Sequence, residues 1–213
     1  MRELMKNQQL WYVIPIILGM SLFAFFPIKE GKVSDELEIG AKAPLADLKV
    51  EDVSGRMLTL QEVAKEKGLL VNFSCNTCPW VARWENRYNP IARLAEENNI
   101  GVIMLNPNSG YRNRGESIKD MQERAQKSKY RFYYALDKDS KLAEAFGATH
   151  TPHVFLFDSD MKLVYRGAID DNAGSAENVE RPYLKNAIKA LGSGEEINPQ
   201  TTKSLGCTIK WPT

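Results

Sequence analysis

The sequence predicts an α/β fold: a mixed central sheet with helices on both faces, preceded by an N-terminal membrane anchor helix. Three observations lead there. Short apolar runs alternate with stretches of helical spacing as far as Gly147. Two strand-like runs about a polar turn, and then one more helix, close the chain. One apolar run leads directly into Cys75-Asn76-Thr77-Cys78-Pro79, so two thiols stand where a strand gives way to a helix. Open α/β sheets place their sites at the carboxyl ends of strands.

Taken in order, residues 1–9 carry Arg2 and Lys6 and precede an uncharged, strongly apolar run at 10–28. That run is near the ~20 residues needed to span a bilayer. It is longer than the roughly 7–15 apolar residues of a secretory signal, and Ala24-Phe25-Phe26-Pro27 lacks a small-x-small cleavage site. It reads as a single-pass anchor in the cytoplasmic membrane. The basic flank stays inside, and everything after it faces the extracytoplasmic, periplasmic side. A cleaved signal would instead leave the remainder secreted. Residues 29–38, charged and containing Gly31 and Ser34, read as a tether, and 39–213 as the folded domain.

Within that domain, Leu45–Val50 alternates apolar with polar and Arg56–Thr59 follows a Ser54-Gly55 turn, which predicts a hairpin. A short helix fits 60–67, and the continuous apolarity of Leu69–Phe73 predicts a buried strand. From Pro79 to Glu97, Val81, Trp84, Tyr88, Ile91 and Ala95 recur at helical spacing and form a core stripe, with a kink expected at Asn89-Pro90. Ile100–Leu105 is a second central strand, and 106–115 is a polar loop whose Arg112 and Arg114 read as solvated. Ser117 and Asp120 have near-capping-box spacing and could start a helix through Ala125. Arg131–Ala135 is a short strand. A helix from Asp139 or Ser140 to Phe146 stops at Gly147. Val154–Phe157 and Leu163–Tyr165 form a hairpin about Asp158-Ser159-Asp160, and Pro182–Leu191 is the last helix. Asp170-Asp171-Asn172 reads as a solvated turn.

Basic and acidic residues number 28 and 27, which gives no footprint for nucleic acid or another polyanion. Three cysteines are too few for a disulfide scaffold, and the odd count leaves Cys207 over once Cys75 and Cys78 pair. Thiols three residues apart at a helix start share a face, with a separation that suits the roughly 4.4–6.8 Å between disulfide Cα atoms. No second Cys-x-x-Cys exists to complete a zinc set.

Several of these motifs together resemble the thioredoxin-like superfamily, in its redoxin (AhpC/TSA, peroxiredoxin-like) branch. Phe73-Ser74-Cys75-Asn76-Thr77-Cys78-Pro79 resembles the active-site turn, and Ala148-Thr149-His150-Thr151-Pro152-His153 the proline loop. Gly40-x-x-Ala43-Pro44 resembles the redoxin entry, and Gly206-Cys207-Thr208-Ile209-Lys210-Trp211 the ending of a Cys-x-x-Cys-Pro subgroup. The resemblance covers about residues 39–211. It implies a thioredoxin-like fold, a cis Thr151–Pro152 bond, and a loop set against the sulfurs that holds a substrate strand. Two departures stand out. Leu69 occupies the place of the buried acid that thioredoxins carry six residues before the first cysteine, so a proton acceptor is absent or comes from elsewhere. The Pro-x-x-x-Thr-x-x-Cys pattern of peroxidase members matches neither Cys75 nor Cys78.

The expected activity is therefore thiol–disulfide exchange. Cys75, first in the motif and nearer solvent, attacks, and Cys78 resolves. Thr151 and Pro152 line the substrate groove, Trp80 shields or packs beside the disulfide, and Cys207 is a candidate third redox thiol. No cofactor is called for. The expected partners are protein or small-molecule thiols and disulfides and a membrane or periplasmic reductant. A helix dipole contributes about 0.3–1 kcal/mol, so it lowers a thiol from about 8.5 by less than one unit. A potential more reducing than the about −120 mV of a strong oxidant follows. Two other readings are a thiol-dependent peroxidase and a copper or zinc chaperone that uses Cys75, Cys78 and either His150 or His153, the two histidines of the chain.

Overall fold

The computed structural model describes residues 35–212. The expected anchor at 10–28 and most of the expected tether lie outside them. Among the described residues no helix is long and apolar enough to cross a membrane. The end of the stretch read as a tether is bound to the domain: Leu37 donates its N–H to the Phe146 carbonyl (3.0 Å) and packs on the core.

The elements are β1 (Val50–Asp52), β2 (Met57–Leu58), α1 (Leu60–Val63), β3 (Gly68–Phe73), α2 (Pro79–Glu97) and β4 (Ile100–Asn106). They continue with α3 (Ile118–Ser128), β5 (Tyr133–Leu136), α4 (Lys141–Phe146), β6 (His150–Thr151), β7 (His153–Asp158), β8 (Leu163–Gly167), α5 (Tyr183–Ser193) and β9 (Cys207–Thr208). The strands run in the order β2-β1-β5-β4 and β3-β7-β8. β3 lies beside β4, tied at its two ends by Lys67 N–H to the Asn99 carbonyl (3.0 Å) and Ser74 N–H to the Leu105 carbonyl (2.9 Å). β4 and β5 are parallel, while β1–β5, β3–β7 and β7–β8 are antiparallel. The sheet is thus mixed, as expected.

β3 is buried along its whole length, which is why its sequence shows no alternation. One core cluster, around Phe73, Phe146, Phe155 and Phe157, fills one side of the sheet. The other packs Val81, Trp84 and Tyr88 of α2 with Leu184 and Ile188 of α5. Both cysteines of the motif sit on this second side. α2 spans the expected residues, with Pro79 in its first turn and Pro90 inside it without ending it. α3 opens on the expected capping box, in which the Ser117 side chain accepts from Asp120 N–H and the Asp120 carboxylate accepts from Ser117 N–H. Gly147 ends α4 at φ 63.

Two local readings are corrected. The first arm of the hairpin is not 45–50: β1 starts at Val50, and the residues before it turn, with Leu48 N–H donating to the Leu45 carbonyl (2.9 Å). Ala46 and Leu48 face the core from that turn, which produces an alternating pattern without a strand. Asp170 is not solvated; it is 4% exposed and paired with Arg87, 3.3 Å away.

Candidate active site

The strand–helix junction is made by β3 and α2. Ser74, the first residue past β3, ties to α2 through its hydroxyl and the Tyr88 hydroxyl, 3.0 Å apart. Cys75 follows, and Cys78 forms the cap of α2 with Pro79 next to it. Proline suits that place because its missing N–H would have had no partner in the helix.

Opposite stands β6, with Thr151 fully buried and a cis bond between Thr151 and Pro152. The Thr151 hydroxyl is 3.2 Å from the Cys75 sulfur, and its carbonyl oxygen is 3.5 Å from the Cys78 sulfur. One residue of the proline loop therefore touches both sulfurs. Trp80 is half-buried in the first turn of α2, with the Arg83 guanidinium 5.0 Å over its ring.

The sulfur pairing differs from the expected one. Cys78 is bonded to Cys207, with 6.2 Å between their Cα atoms, and Cys75 is the free thiol. The expected Cys75–Cys78 pair came from local spacing. What decides the pairing is the tail, a tertiary feature. β9 pairs antiparallel with β6, placing Cys207 opposite Thr151 and Thr208 opposite His150. Ile209 N–H donates to the Thr149 carbonyl (3.0 Å), and the Ile209 side chain is buried. On the other flank Gly110 N–H donates to the Lys210 carbonyl (2.8 Å), and Lys210 N–H to Asn108 Oδ1 (3.0 Å). Gly206 needs to be glycine, because a β-carbon there would collide with the Thr151 carbonyl. The tail therefore roofs the site. Cys75 is 2% exposed and Cys78 5%, so Cys75 is not the more solvent-exposed of the two.

The local field also differs from expectation. Burial pushes the Cys75 thiol up to about 11, and the negative charge of Glu116 adds to this. Hydrogen bonds from Thr151 and from the Cys78 and Thr77 backbone pull the other way and lose. The helix start alone had pointed to a thiol slightly below its ordinary value; desolvation is the larger effect here.

Glu116 is the residue in contact with the motif that sequence reasoning missed. It is fully buried beneath the motif. Arg112, read as solvated, instead ties this loop to the sheet. Its guanidinium donates to Asn106 Oδ1 (2.8 Å) and to the carbonyls of Glu116 (3.0 Å), Asn106 (2.8 Å) and Asp137 (2.9 Å). The only hint was one acid in a polar loop leaving β4, the strand beside β3, so that both loops open at the same end of the sheet.

The histidines lie apart from each other in character. His153 is fully buried against Phe155, ring centroids 4.5 Å apart, and burial lowers it to about 4. Its Nε2 is 2.9 Å from Glu36 Oε1, close enough for an ion pair but without hydrogen-bond alignment. His150 is half-buried and meets the Thr149 hydroxyl at 2.8 Å. Among the described residues no group of three or more His, Cys, Asp or Glu side chains is placed to hold a metal ion.

Comparisons with known proteins agree with this architecture. The thiol-disulfide oxidoreductase ResA of Bacillus thuringiensis (strain Al Hakam) is 25% identical over 162 residues, covering 75% of this chain and 88% of the relative. The crystal structure of a hypothetical protein from Sinorhizobium meliloti 1021 is 30% identical, with a TM-score of 0.75 over 84% of this chain and 97% of that one. An uncharacterized conserved protein from Geobacillus kaustophilus is 28% identical, with a TM-score of 0.74 over 82% of this chain and 92% of that one. Residues 39–166 match the AhpC/TSA family, and with the thioredoxin-like sheet, the Cys75–Cys78 turn and the cis-proline loop they establish that this chain belongs to it.

Proposed function

We propose that the protein is a thiol–disulfide oxidoreductase, held by residues 10–28 in the cytoplasmic membrane with its catalytic domain on the extracytoplasmic side. The observation that carries this reading is a free thiol and a disulfide meeting on one residue: Thr151 touches the sulfurs of both Cys75 and Cys78, and Cys78 is bonded to Cys207. The ResA relative supports it.

From the fully reduced protein, the Cys75 thiolate attacks a partner disulfide. One partner sulfur leaves as a thiolate, and the other is bound to Cys75. The Cys78 thiolate then attacks the Cys75 sulfur, which releases the second partner thiol and forms Cys75–Cys78. The Cys207 thiolate attacks Cys78, frees Cys75 and forms the Cys78–Cys207 bond described above. The sum is two electrons: the partner disulfide becomes two thiols, and Cys78 and Cys207 become one disulfide. A dithiol reductant in the membrane or periplasm resets the cycle. The Thr151 hydroxyl steadies the Cys75 sulfur throughout, and the Thr151–Pro152 loop lines the groove beside Trp80. The peroxidase reading has less support, because the residues preceding Cys75 lack the threonine and proline of the peroxide-binding pattern.

Cys78→Ala tests the proposal, since it removes the thiol that would release Cys75's partner. The expected result is a mixed disulfide between Cys75 and its partner that is stable to non-reducing electrophoresis and absent in Cys75→Ser. Absence of any trapped species in Cys78→Ala would overturn the assignment. Recovery of the full chain, but not of residues 35–213, in a carbonate-washed membrane fraction tests the anchor.

A further inference from the structure

Glu116 sits in the loop before α3 with its side chain fully buried. Five donors converge on its carboxylate. They are Asn76 N–H (2.9 Å), Thr77 N–H (3.0 Å), the Thr77 hydroxyl (2.6 Å), Asn106 Nδ2 (2.7 Å) and Asn108 Nδ2 (3.4 Å). The first two are the amides between the motif cysteines. At a helix start such amides have no helical partner and are the natural stabilisers of a thiolate. Here the Asn76 amide points at the carboxylate instead, and the Thr77 amide is shared between the carboxylate and the Cys75 sulfur. Arg112 lies behind it but spends its donors on Asn106 and on carbonyls, and makes no ion pair with the Glu116 side chain among the described residues.

We propose that Glu116 is a positioning residue that governs how readily Cys75 exchanges: it draws the Asn76 amide to itself, competes for the Thr77 amide and sets a negative charge beside the sulfur, so that Cys75 is held as a thiol. The inference rests on Cys75 being the exchange thiol, and deepens that reading by naming what restrains it. The effect of Glu116 on Cys75 runs in the same direction as burial, and only the Thr151 hydroxyl and the Thr77 and Cys78 backbone oppose it. The other titratable groups facing this sulfur are Tyr134 of β5 and Tyr88 of α2. Burial drives both phenols upward, so they stay neutral while Cys75 ionises. Arg112 and, beyond it, Asp137 and Asp139 complete the charged surroundings of Glu116.

The disulfide-bonded protein gives a clean readout, because Cys75 is then the one free cysteine. Iodoacetamide alkylation followed by intact-mass measurement across pH reports Cys75 alone, with no substrate needed. The midpoint expected for the wild type is about 11. Glu116→Gln removes the charge and turns an amide nitrogen toward donors, and should lower the midpoint by at least about one unit, which is about tenfold faster alkylation at pH 8. Glu116→Asp keeps the charge and should stay within about half a unit of wild type. A folded Glu116→Gln protein with the wild-type midpoint overturns the proposal, and so does an Asp variant that behaves like Gln. If Glu116→Gln does not fold, a wild-type midpoint at the ordinary thiol value of about 8.5 overturns it alone. Failure of the trapping experiment would leave these midpoints readable, so the two ideas fall separately.

Discussion

The Cys78–Cys207 bond closes a loop with a sequence separation of 129, and that length sets the size of the stability it contributes. In the chain-entropy account, cross-linking a loop of this length removes about 17 cal/mol/K from the unfolded ensemble, or about 5 kcal/mol at 25 °C. For a domain of this size about 1 kcal/mol moves the melting temperature by about 2–4 °C, so reduction should lower it by about 10–20 °C. The assay is thermal unfolding followed by circular dichroism, with and without a phosphine reductant. Cys207→Ser should melt low in both conditions. Cys75→Ser retains both partners of the bond and should keep the whole reductant-dependent drop. A wild-type melting temperature that moves by less than about 3 °C on reduction would refute the reasoning. So would a Cys75→Ser protein that has lost the drop, since that result would assign the stabilising bond to Cys75.

His153 is neutral in the fold because burial lowers it to about 4, well below its unfolded 6.5. The unfolded chain therefore binds the proton first, and the stability present above pH 6.5 is lost as pH falls toward 4. Glu36 near Nε2 works against that loss, and from pH 7 to 4 the urea midpoint of the wild type should fall further than that of His153→Phe; parallel curves would refute it. Asp137 caps α4, its two carboxylate oxygens accepting Leu142 N–H and Ala143 N–H at 2.9 Å each. Asp137→Ala leaves both amides buried without partners, and should cost about 2–4 kcal/mol in urea unfolding.

Local chemistry was readable where it alone decides the outcome. α2 runs from Pro79 to Glu97, as its stripe of Val81, Trp84 and Tyr88 requires. The Ser117–Asp120 box starts α3, and Gly147 stops α4. The alternation of strand and helix gave the mixed sheet, and the cysteine turn and proline loop gave the two walls of the site. What stayed hidden depends on residues far apart in the chain. Cys207 reaches Cys78 only because the tail adds a strand to β6, and two residues of ladder leave no periodicity to read. Glu116 is one acid in a polar loop. Its role comes from the neighbouring ends of β3 and β4, not from any spacing to Cys75. Leu45 misled because a turn that faces the core at alternate residues looks, in one dimension, like a strand.

The two-residue ladder between β6 and β9 also has a kinetic meaning. It holds Cys207 beside Cys78 in the bonded form, so a bond just opened leaves Cys207 as a thiol of high effective concentration. A short flexible linker already gives about millimolar, and a strand pinned on both flanks, by Thr149 and by Asn108, gives more. A monothiol that attacks Cys78–Cys207 must then outcompete a resident that returns to Cys78 after every opening. A reductant carrying two thiols does not face this contest, because its second thiol completes the exchange before Cys207 can reverse it. In the proposed cycle the tail thereby sorts reductants by valency, favouring dithiols over single thiols without making any contact that recognises them.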